Sequence, residues 1–372
     1  MLEIPVELGP RRYTISIGHG LARLLPDLLE PLRGRTTVVV ASRRVFGRHR
    51  AKLERPLRAL GPLHVCLVPD GERFKGRRTL EAVYDAFLEA RLGRDGLVVA
   101  LGGGVVGDLG GFAAATWMRG VDWVGIPTTL LAMVDSSIGG KVGINHAQAK
   151  NMVGAFHQPR AVVIDPAFLA TLPAREFRSG AYEILKCAIL GDGALFECLR
   201  RAPFALQGWE RREVDNAIAT ACRIKAEIVE CDEREGSRRH VLNLGHTIGH
   251  AVEAATGYRR FTHGEAVGWG LIGAAWIARD RGLLPETAYD AIAAAVDHLG
   301  ARPRVSDLKP PRILEAISHD KKARAGRVPF VLPTAIGRVV VRDDVRRAEI
   351  TRALRVMAGR EAPIRRSSGP RA

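Results

Sequence analysis

The first part of the chain alternates short apolar segments of strand length with segments of helical spacing. The strand-like segments are Ile4–Leu8, Tyr13–Ile17, Thr36–Ala41, His64–Val68, Gly96–Leu101 and Trp123–Ile126. Helical spacing is found near Leu21–Leu32, after residue 41 and at Thr79–Leu88. Strands that alternate with helices are typical of a parallel sheet. This pattern predicts an α/β domain with a parallel-rich sheet over residues 1–173.

From about Ala174 the pattern changes to long segments rich in alanine and leucine, with apolar residues at helical spacing. These segments are Ala181–Leu190, Arg212–Cys231, Thr247–Ala255, Glu265–Asp280 and Pro285–Leu299. We therefore predict a mainly α-helical second domain over residues 174–358. The remaining residues, 359–372, are rich in Arg, Pro, Ser and Gly, offer little apolar surface to bury, and are predicted to be a disordered basic tail.

Composition narrows the class of protein. A chain of 372 residues that is 47% hydrophobic can form two cores. The formal net charge of +16 raises the question of a nucleic-acid partner. However, the arginines are spread along the chain without an aromatic platform, which favours a solvated basic surface and a pocket for an anionic substrate. The N-terminus lacks the apolar run of a signal peptide or membrane span, and five scattered cysteines indicate reduced thiols, so we expect a cytoplasmic protein with neither nucleic-acid nor membrane partner.

The first chemical motif is a glycine array after the strand that ends near residue 101. Gly102, Gly104 and Gly107 form G-x-G-x-x-G before a segment of small residues. Such glycines let the backbone approach a pyrophosphate at a helix N-terminus. A tight turn with close packing of helix on sheet explains the same residues, and this motif alone leaves both interpretations open.

Polar residues that suit an anion follow the glycine array. Thr128, Thr129 and Asp135 precede a second glycine pair that leads to Lys141, and Lys150 and Asn151 come shortly after. A single lysine in such a loop is usually a solvated surface residue. Several polar groups so close to a nucleotide loop favour contact with a substrate.

Three histidines indicate a metal site. His246 and His250 are one helical turn apart and share a helix face, and His263 follows after a short loop. The chain lacks the HExxH glutamate of metalloproteases, and a packed or surface role remains an alternative for each histidine. Upstream, Glu183 and Lys186 also share a helix face. One carboxylate with imidazoles suits a catalytic Zn²⁺ or Co²⁺.

Taken together, these stretches resemble the 3-dehydroquinate synthase family from Ile4 to about Ala348. The order and spacing of the segments carry the resemblance: they are Asp70–Lys75, Gly102–Ala115, Trp117–Gly120, Pro127–Lys141, Lys150–Pro159, Ile184–Lys186, Leu242–Glu253, His263–Val267 and His319–Lys322. The resemblance implies a lyase that uses NAD and a metal to convert 3-deoxy-D-arabino-heptulosonate 7-phosphate to 3-dehydroquinate and phosphate. It also implies an active site in the cleft between the two domains.

The resemblance assigns roles residue by residue. The implied metal ligands are Glu183, His246 and His263, with His250 as a proton relay. The implied NAD contacts are Glu72, Lys75, Gly103, Gly104, Val105, Asp108, Thr128 and Thr129. The implied substrate contacts are Asp135, Lys141, Lys150, Asn151, Lys186, Lys225, Arg239, Asn243 and one of Lys321 or Lys322. Arg119 matches a family arginine that reaches the phosphate pocket of a neighbouring subunit, which implies a homodimer. Ser42 departs from the family pattern, which puts one contact to the adenosine ribose in doubt.

Three other functions remain as alternatives. A related sugar-phosphate cyclase would act on a sedoheptulose or glucose phosphate, and a substrate panel distinguishes it. A polyol dehydrogenase of the related metal-dependent group would accumulate NADH. A nucleic-acid-binding protein would show steep dependence of binding on salt, and only the net charge supports it.

Overall fold

The computed structural model describes residues 1–147, 149–201, 211–236, 238–318 and 328–360. A seven-stranded sheet with the order β1-β2-β9-β6-β5-β3-β4 forms the first part of the chain. Its strands are β1 (Leu2–Val6), β2 (Tyr13–Ile17), β3 (Thr37–Ser42), β4 (Leu63–Val68), β5 (Leu97–Gly102), β6 (Asp122–Pro127) and β9 (Ala161–Ile164). A separate hairpin consists of β7 (Lys141–His146) and β8 (Ala149–Phe156).

The large sheet is parallel except for the β1–β2 pair. Its central strands β3 and β5 are buried along their whole length, as their continuous apolar sequences require. The carboxyl ends of β5 and β6 lie side by side, with Gly102 opposite Pro127. The predicted parallel-rich sheet is therefore confirmed.

Helices cover the sheet and make up most of the second half of the chain. The first four are α1 (Leu25–Leu28), α2 (Arg43–Arg58), α3 (Arg77–Glu89) and α4 (Gly104–Thr116). The others are α5 (Ala174–Gly191), α6 (Gly193–Arg201), α7 (Arg211–Cys231), α8 (His246–Ala255), α9 (His263–Asp280), α10 (Glu286–His298), α11 (Pro310–Ser318) and α12 (Arg347–Gly359). The hairpin of β10 (Phe330–Ala335) and β11 (Arg338–Arg342) lies between α11 and α12 in the sequence. The mainly helical second part is thus confirmed. Within the described ranges, none of the helices combines the length and apolarity needed to cross a bilayer.

Several predicted bounds were wrong. The segment predicted as one helix over residues 21–32 is three short turns, because Pro26 and Pro31 each start a new turn and supply no N–H for a continuous helix. The first strand is Leu2–Val6 rather than Ile4–Leu8. The two hairpins, β9 and helices α6, α11 and α12 were not predicted. The predicted disordered tail lies outside the described residues from position 361 onward, while α12 extends to Gly359.

Helices α8 and α9 pack unusually closely because glycines line their contact. A Cβ atom at Gly270 would lie 1.8 Å from the main-chain oxygen of Gly245, and one at Gly249 would lie 3.0 Å from that of Ala266. Neither backbone leaves space for a side chain at these points. The close approach brings His246, at the start of α8, next to His263, at the start of α9.

We expect Gly270→Ala to lower the free energy of unfolding by about 3 kcal/mol, because the new methyl group must push two helix backbones apart. Chemical denaturation measures the change. Gly47→Ala is the matched control: Gly47 lies within α2 and an added Cβ meets no atom within 4 Å, so the same exchange should leave stability unchanged or slightly raised. If both variants change the free energy of unfolding equally, the close packing at Gly270 does not contribute to stability.

Candidate active site

The turn between β5 and α4 forms a cradle of bare backbone. A Cβ atom at Gly103 would lie 3.0 Å from a carbon of Thr129, and one at Gly104 would lie 2.9 Å from the hydroxyl oxygen of Ser136. Among the described residues, the buried hydroxyl of Thr128 has no hydrogen-bond partner. A glycine-lined helix N-terminus with a buried hydroxyl that lacks a partner fits a dinucleotide phosphate.

The outer face of the cradle is open. Val105 is half-buried in the first turn of α4, and a Cβ at Gly107 would meet no atom within 4 Å. Asp108 follows on the same helix and pairs with the buried ammonium of Lys75. Burial raises the pKa of Asp108 against the opposing charge of Lys75. The tight-turn explanation accounts for the packed glycines but not for this open face.

Lys75 joins one of the NAD contacts implied by the resemblance, Asp108, to one of the implied substrate contacts, Asn151. Its ammonium also donates to Asn151 Oδ1 at 2.6 Å. Glu72 Oε1 accepts a hydrogen bond of 2.8 Å from Asn145, a residue that the sequence analysis did not assign. The structure thus joins Asn151, predicted as a substrate contact, to the residues predicted to hold NAD.

The three histidines and Glu183 form a cluster. Potential ligand atoms of His246, His250 and His263 all lie within 4.8 Å of one another. Glu183 Oε1 lies 3.7 Å from His246 Nε2 and 3.5 Å from His263 Nε2. The Glu183 side chain is buried, and within the described part of the chain no group donates a hydrogen bond to Oε1. A buried carboxylate oxygen that faces imidazole nitrogens without a donor fits a bound divalent cation. The positions of Glu183 and His250 are both suitable for a metal ligand.

Neighbouring groups set the direction of two imidazoles. His246 Nδ1 lies 3.1 Å from the main-chain oxygen of Leu244, so Nδ1–H donates there and Nε2 faces Glu183. His263 Nδ1 lies 3.3 Å from Glu253 Oε2. Burial opposes ionisation of Glu253, but His263 and Lys150 outweigh it and hold the pKa of Glu253 at about 2. Glu253 is therefore a carboxylate that orients His263 through its outer nitrogen.

We expect Glu253→Gln to weaken Zn²⁺ or Co²⁺ binding about 10- to 100-fold, because an amide orients the imidazole of His263 less firmly than a carboxylate. Competition with a chelator of known affinity measures the loss. Glu227→Gln, the same exchange at an exposed position on α7, is the control and should leave affinity unchanged. An unaltered affinity in Glu253→Gln would mean that His263 is held by other contacts or is not a ligand.

Two buried lysines lie beside the cluster. Lys186 Nζ is 2.5 Å from Glu183 Oε2 and 4.0 Å from Asp135 Oδ1. Lys225 Nζ is 2.5 Å from Asp135 Oδ1 and from its main-chain oxygen. Burial favours the neutral form of Asp135, but the charges of Lys225 and Lys186 outweigh it and hold the pKa of Asp135 below its ordinary value. The site therefore holds fixed positive charge next to the cluster of histidines and Glu183.

A second polar group contains the basic residues Lys141 and Arg239 and the amide of Asn243. Lys141 Nζ lies 2.6 Å from Glu235 Oε2, and Asn243 Nδ2 lies 3.5 Å from Glu235 Oε1. The buried guanidinium of Arg239 donates to the main-chain oxygen of Gly139 at 3.1 Å. Burial and the nearby charge of Arg239 lower the pKa of Lys141 to about 8, although the Lys141 side chain is 46% exposed and solvent screens this effect. Glu235, which no sequence pattern identified, lies between groups that suit an anion.

The other predicted residues are more dispersed. Lys150 Nζ lies 3.2 Å from Glu253 Oε1, which joins the hairpin β7–β8 to α8. Arg119 is exposed in a turn after α4, at a positive φ of 69°. Lys321 and Lys322 lie outside the described residues. Ser42 caps α2 by accepting a hydrogen bond from Val45 N, which gives its hydroxyl a structural role.

Three residues of the site were not predicted: Glu253, Glu235 and Asn145. A signal in the sequence existed for the first of them alone. Glu253 follows His246 and His250 at helical spacing, so it shares their face of α8 and was accessible to the same argument. Glu235 and Asn145 meet their partners 94 and 73 positions away along the chain. Local spacing carries no signal for such contacts.

Comparisons with known proteins identify the family. The family model described as 3-dehydroquinate synthase N-terminal matches residues 65–179, and the one described as 3-dehydroquinate synthase C-terminal matches residues 180–323. A 3-dehydroquinate synthase from Gloeobacter violaceus is 45% identical over 363 residues, which cover 96% of this chain and 100% of the relative.

Two solved structures have a similar fold. A 2-epi-5-epi-valiolone synthase from Streptomyces hygroscopicus, with NAD⁺ and Zn²⁺ bound, has a TM-score of 0.86 at 31% identity and covers 97% of this chain and 100% of its own. A 2-deoxy-scyllo-inosose synthase complexed with carbaglucose-6-phosphate, NAD⁺ and Co²⁺ has the same TM-score at 24% identity, with coverage of 95% and 99%. With both family models and a near full-length relative in agreement, the chain belongs to the 3-dehydroquinate synthase family.

Proposed function

We propose that this chain converts 3-deoxy-D-arabino-heptulosonate 7-phosphate to 3-dehydroquinate and phosphate, a carbon–oxygen lyase reaction of the shikimate pathway that leads to the aromatic amino acids. The observation that carries the proposal is one continuous group of residues: a dinucleotide cradle, a buried carboxylate–histidine cluster and a set of fixed ammonium groups. The near full-length relatives of this name support it.

The residues fit both cofactors. The β5–α4 turn with Thr128 and Lys75 would hold NAD, and Glu183, His246 and His263 would hold Zn²⁺ or Co²⁺. The valiolone synthase of similar fold has NAD⁺ and Zn²⁺ bound. When bound, NAD supplies reversible hydride transfer and the metal supplies Lewis acidity for oxidation, phosphate elimination, re-reduction and aldol closure.

The chain's own groups bind and orient a substrate with a carboxylate and a phosphate. Lys186 and Lys225 place fixed positive charge beside the metal cluster, where burial strengthens their pull on an anion. Lys141 and Arg239 offer a second cationic region for the other anionic end. His250, half-buried beside the two implied histidine ligands, is placed to move a proton at the reacting oxygens.

Binding of the substrate should weaken as pH rises through the pKa of Lys141, which burial lowers to about 8. The ammonium form attracts an anion and predominates below that pKa, so loss of the proton removes the attraction. The profile of kcat/KM against pH should therefore fall on its alkaline side. Lys141→Arg, which stays charged, should move that fall to higher pH. If the fall on the alkaline side stays at the same pH in Lys141→Arg, a group other than Lys141 causes it.

A related cyclase function is the second candidate, because the valiolone and inosose synthases share the fold. A panel of three compounds tests it: 3-deoxy-D-arabino-heptulosonate 7-phosphate, sedoheptulose 7-phosphate and glucose 6-phosphate. The proposal predicts phosphate release from the first alone. Release from either of the other two, and none from the first, would assign the chain to a sibling reaction.

The chain is proposed to act as a homodimer in which Arg119 completes the partner's site. Exposed apolar side chains support this: Met118, next to Arg119 in the chain, is 44% exposed, and Met152, Val153 and Phe156 on β8 are 55%, 41% and 44% exposed. Large apolar side chains that are exposed in one subunit are available to be buried against a partner.

Mixing two inactive variants tests the dimer. Subunits with Arg119→Ala keep the metal site, and subunits with His263→Ala keep the arginine. Mixed dimers should regain part of the activity, because one of the two sites then has both. If subunits that are shown to exchange recover no activity, then Arg119 contributes to the site of its own subunit or to no site.

We place a NAD-binding domain at residues 1–173 and a metal- and substrate-binding domain at residues 174–358, with the site between them. The start of α5 at Ala174 supports that boundary. The five cysteines form no disulfide bond with one another, which supports a cytoplasmic location.

A further inference from the structure

The hairpin β7–β8 contains an irregularity at Asn145. Regular pairing ends at Ile144 opposite Val153 and resumes at His146 opposite Ala149, so Asn145 alone faces residues 150–152. Extra residues in one strand change the direction of its side chains, and such bulges are frequent next to active sites. Here the bulge contains the two residues that reach Glu253 and Lys75.

The side chain of Asn145 uses both ends of its amide across this bulge. Its Nδ2 donates to Glu72 Oε1 at 2.8 Å, and its Oδ1 accepts from the backbone N–H of Asn151 at 2.9 Å. Its own backbone N–H donates to the main-chain oxygen of Lys75 at 2.8 Å. An amide supplies a donor and an acceptor at this spacing, whereas a carboxylate only accepts.

The bond to Asn151 fixes a costly backbone conformation. Asn151 has a φ of 56°, in the left-handed region that non-glycine residues seldom adopt. In this conformation its Oδ1 reaches Lys75 Nζ at 2.6 Å, and Lys75 in turn pairs with Asp108 on α4. One continuous series of contacts therefore runs from Glu72 through Asn145 and Asn151 to the helix of the dinucleotide cradle.

We propose that Asn145 is a positioning residue, which orients Glu72 and the Lys75–Asn151 pair for NAD. The inference rests on the proposed function for the identity of the cofactor. It assigns to Asn145 no contact with NAD itself: the residue acts by holding the carboxylate of Glu72 and the backbone of Asn151 in place.

Titration of the purified protein with NAD⁺, without substrate, tests the inference. Asn145→Asp keeps the shape and the acceptor, but it removes the donor and places a second carboxylate against Glu72. We expect the Kd for NAD⁺ to rise about tenfold or more. Asn216→Asp, the same exchange on the exposed surface of α7, is the control and should leave the Kd unchanged.

The effect must also depend on Glu72. In a Glu72→Gln background the new amide can donate to the carboxylate introduced at position 145, so adding Asn145→Asp should raise the Kd less than about threefold. A merely structural role would give the same loss in both backgrounds. If Asn145→Asp does not fold, Asn145→Ala carries the test, with an expected rise of about three- to tenfold.

A Kd for Asn145→Asp within twofold of the parent, or an equal loss in both backgrounds, would overturn the inference. These outcomes are separate from failure of the proposed function. A parent protein that binds NAD⁺ but releases no phosphate from any tested sugar phosphate would contradict that function, while the role of Asn145 in NAD⁺ binding would stand.

Discussion

Replacing His263 by alanine lowers the rate of phosphate release by about 1,000-fold or more, because the site loses a metal ligand and with it several kcal/mol of transition-state stabilisation. The fold should persist. The imidazole of His263 is 27% exposed, and it contributes contacts to Glu183 and Glu253 rather than to the apolar core. Two measurements check the result: metal content by elemental analysis and phosphate release at saturating metal.

The matched control is His64→Ala, the same exchange at an exposed position on the edge strand β4. It should retain full activity and full metal content. Near-parental turnover by His263→Ala after chelation and metal replacement would show that His263 is not a ligand. His246, His250 and Glu183 would then be the candidates that remain.

Replacing Lys225 by methionine lowers kcat/KM by about 100- to 1,000-fold, because a positioned charge is lost from a site with little water. Methionine fills similar space but, among the lysines and arginines that the structure describes, leaves Asp135 paired with the more distant Lys186 alone, at 4.0 Å. The free energy of unfolding should also fall by about 3 kcal/mol, since one half of a buried ion pair is left behind. Steady-state kinetics and chemical denaturation measure the two effects.

A second variant separates stability from catalysis. In Lys225→Met/Asp135→Asn both charges are gone, so stability should partly recover while activity stays low. Lys52→Met, on the exposed face of α2, controls for the exchange itself. If the double variant regained activity together with stability, the contribution of Lys225 would be structural and its role in binding the substrate would be wrong.

Local periodicity predicted much of the fold. The buried strands β3 and β5 are continuous apolar runs, and α7, α9 and α10 have long stretches of helical spacing, so their positions follow from burial alone. The hairpin β7–β8 was not predicted, because four of its consecutive residues, 151–154, are exposed and no alternation marks them. Pro26 and Pro31 broke a segment whose apolar spacing looked helical.

The site was predicted less completely, for a physical reason. Spacing along α8 placed His246 and His250 on one face, but spacing alone could not distinguish a ligand from a proton relay. Helical spacing identified Glu183 as a candidate carboxylate and resemblance assigned it as a ligand, and the structure brings that carboxylate to within 3.7 Å of His246. The contacts of Glu235 and Asn145 depend on how distant segments pack, and hydrophobic pattern does not encode those pairings.

The measurement that tests the central claim most directly is a count of products per NAD⁺. The purified protein is loaded with Zn²⁺ or Co²⁺, given 3-deoxy-D-arabino-heptulosonate 7-phosphate in large excess and NAD⁺ in an amount far below it. We expect equal amounts of phosphate and 3-dehydroquinate, many per NAD⁺, with no net NADH and no reaction after chelation. Accumulation of NADH, or a reaction that stops at one turnover per NAD⁺, would contradict the proposed function.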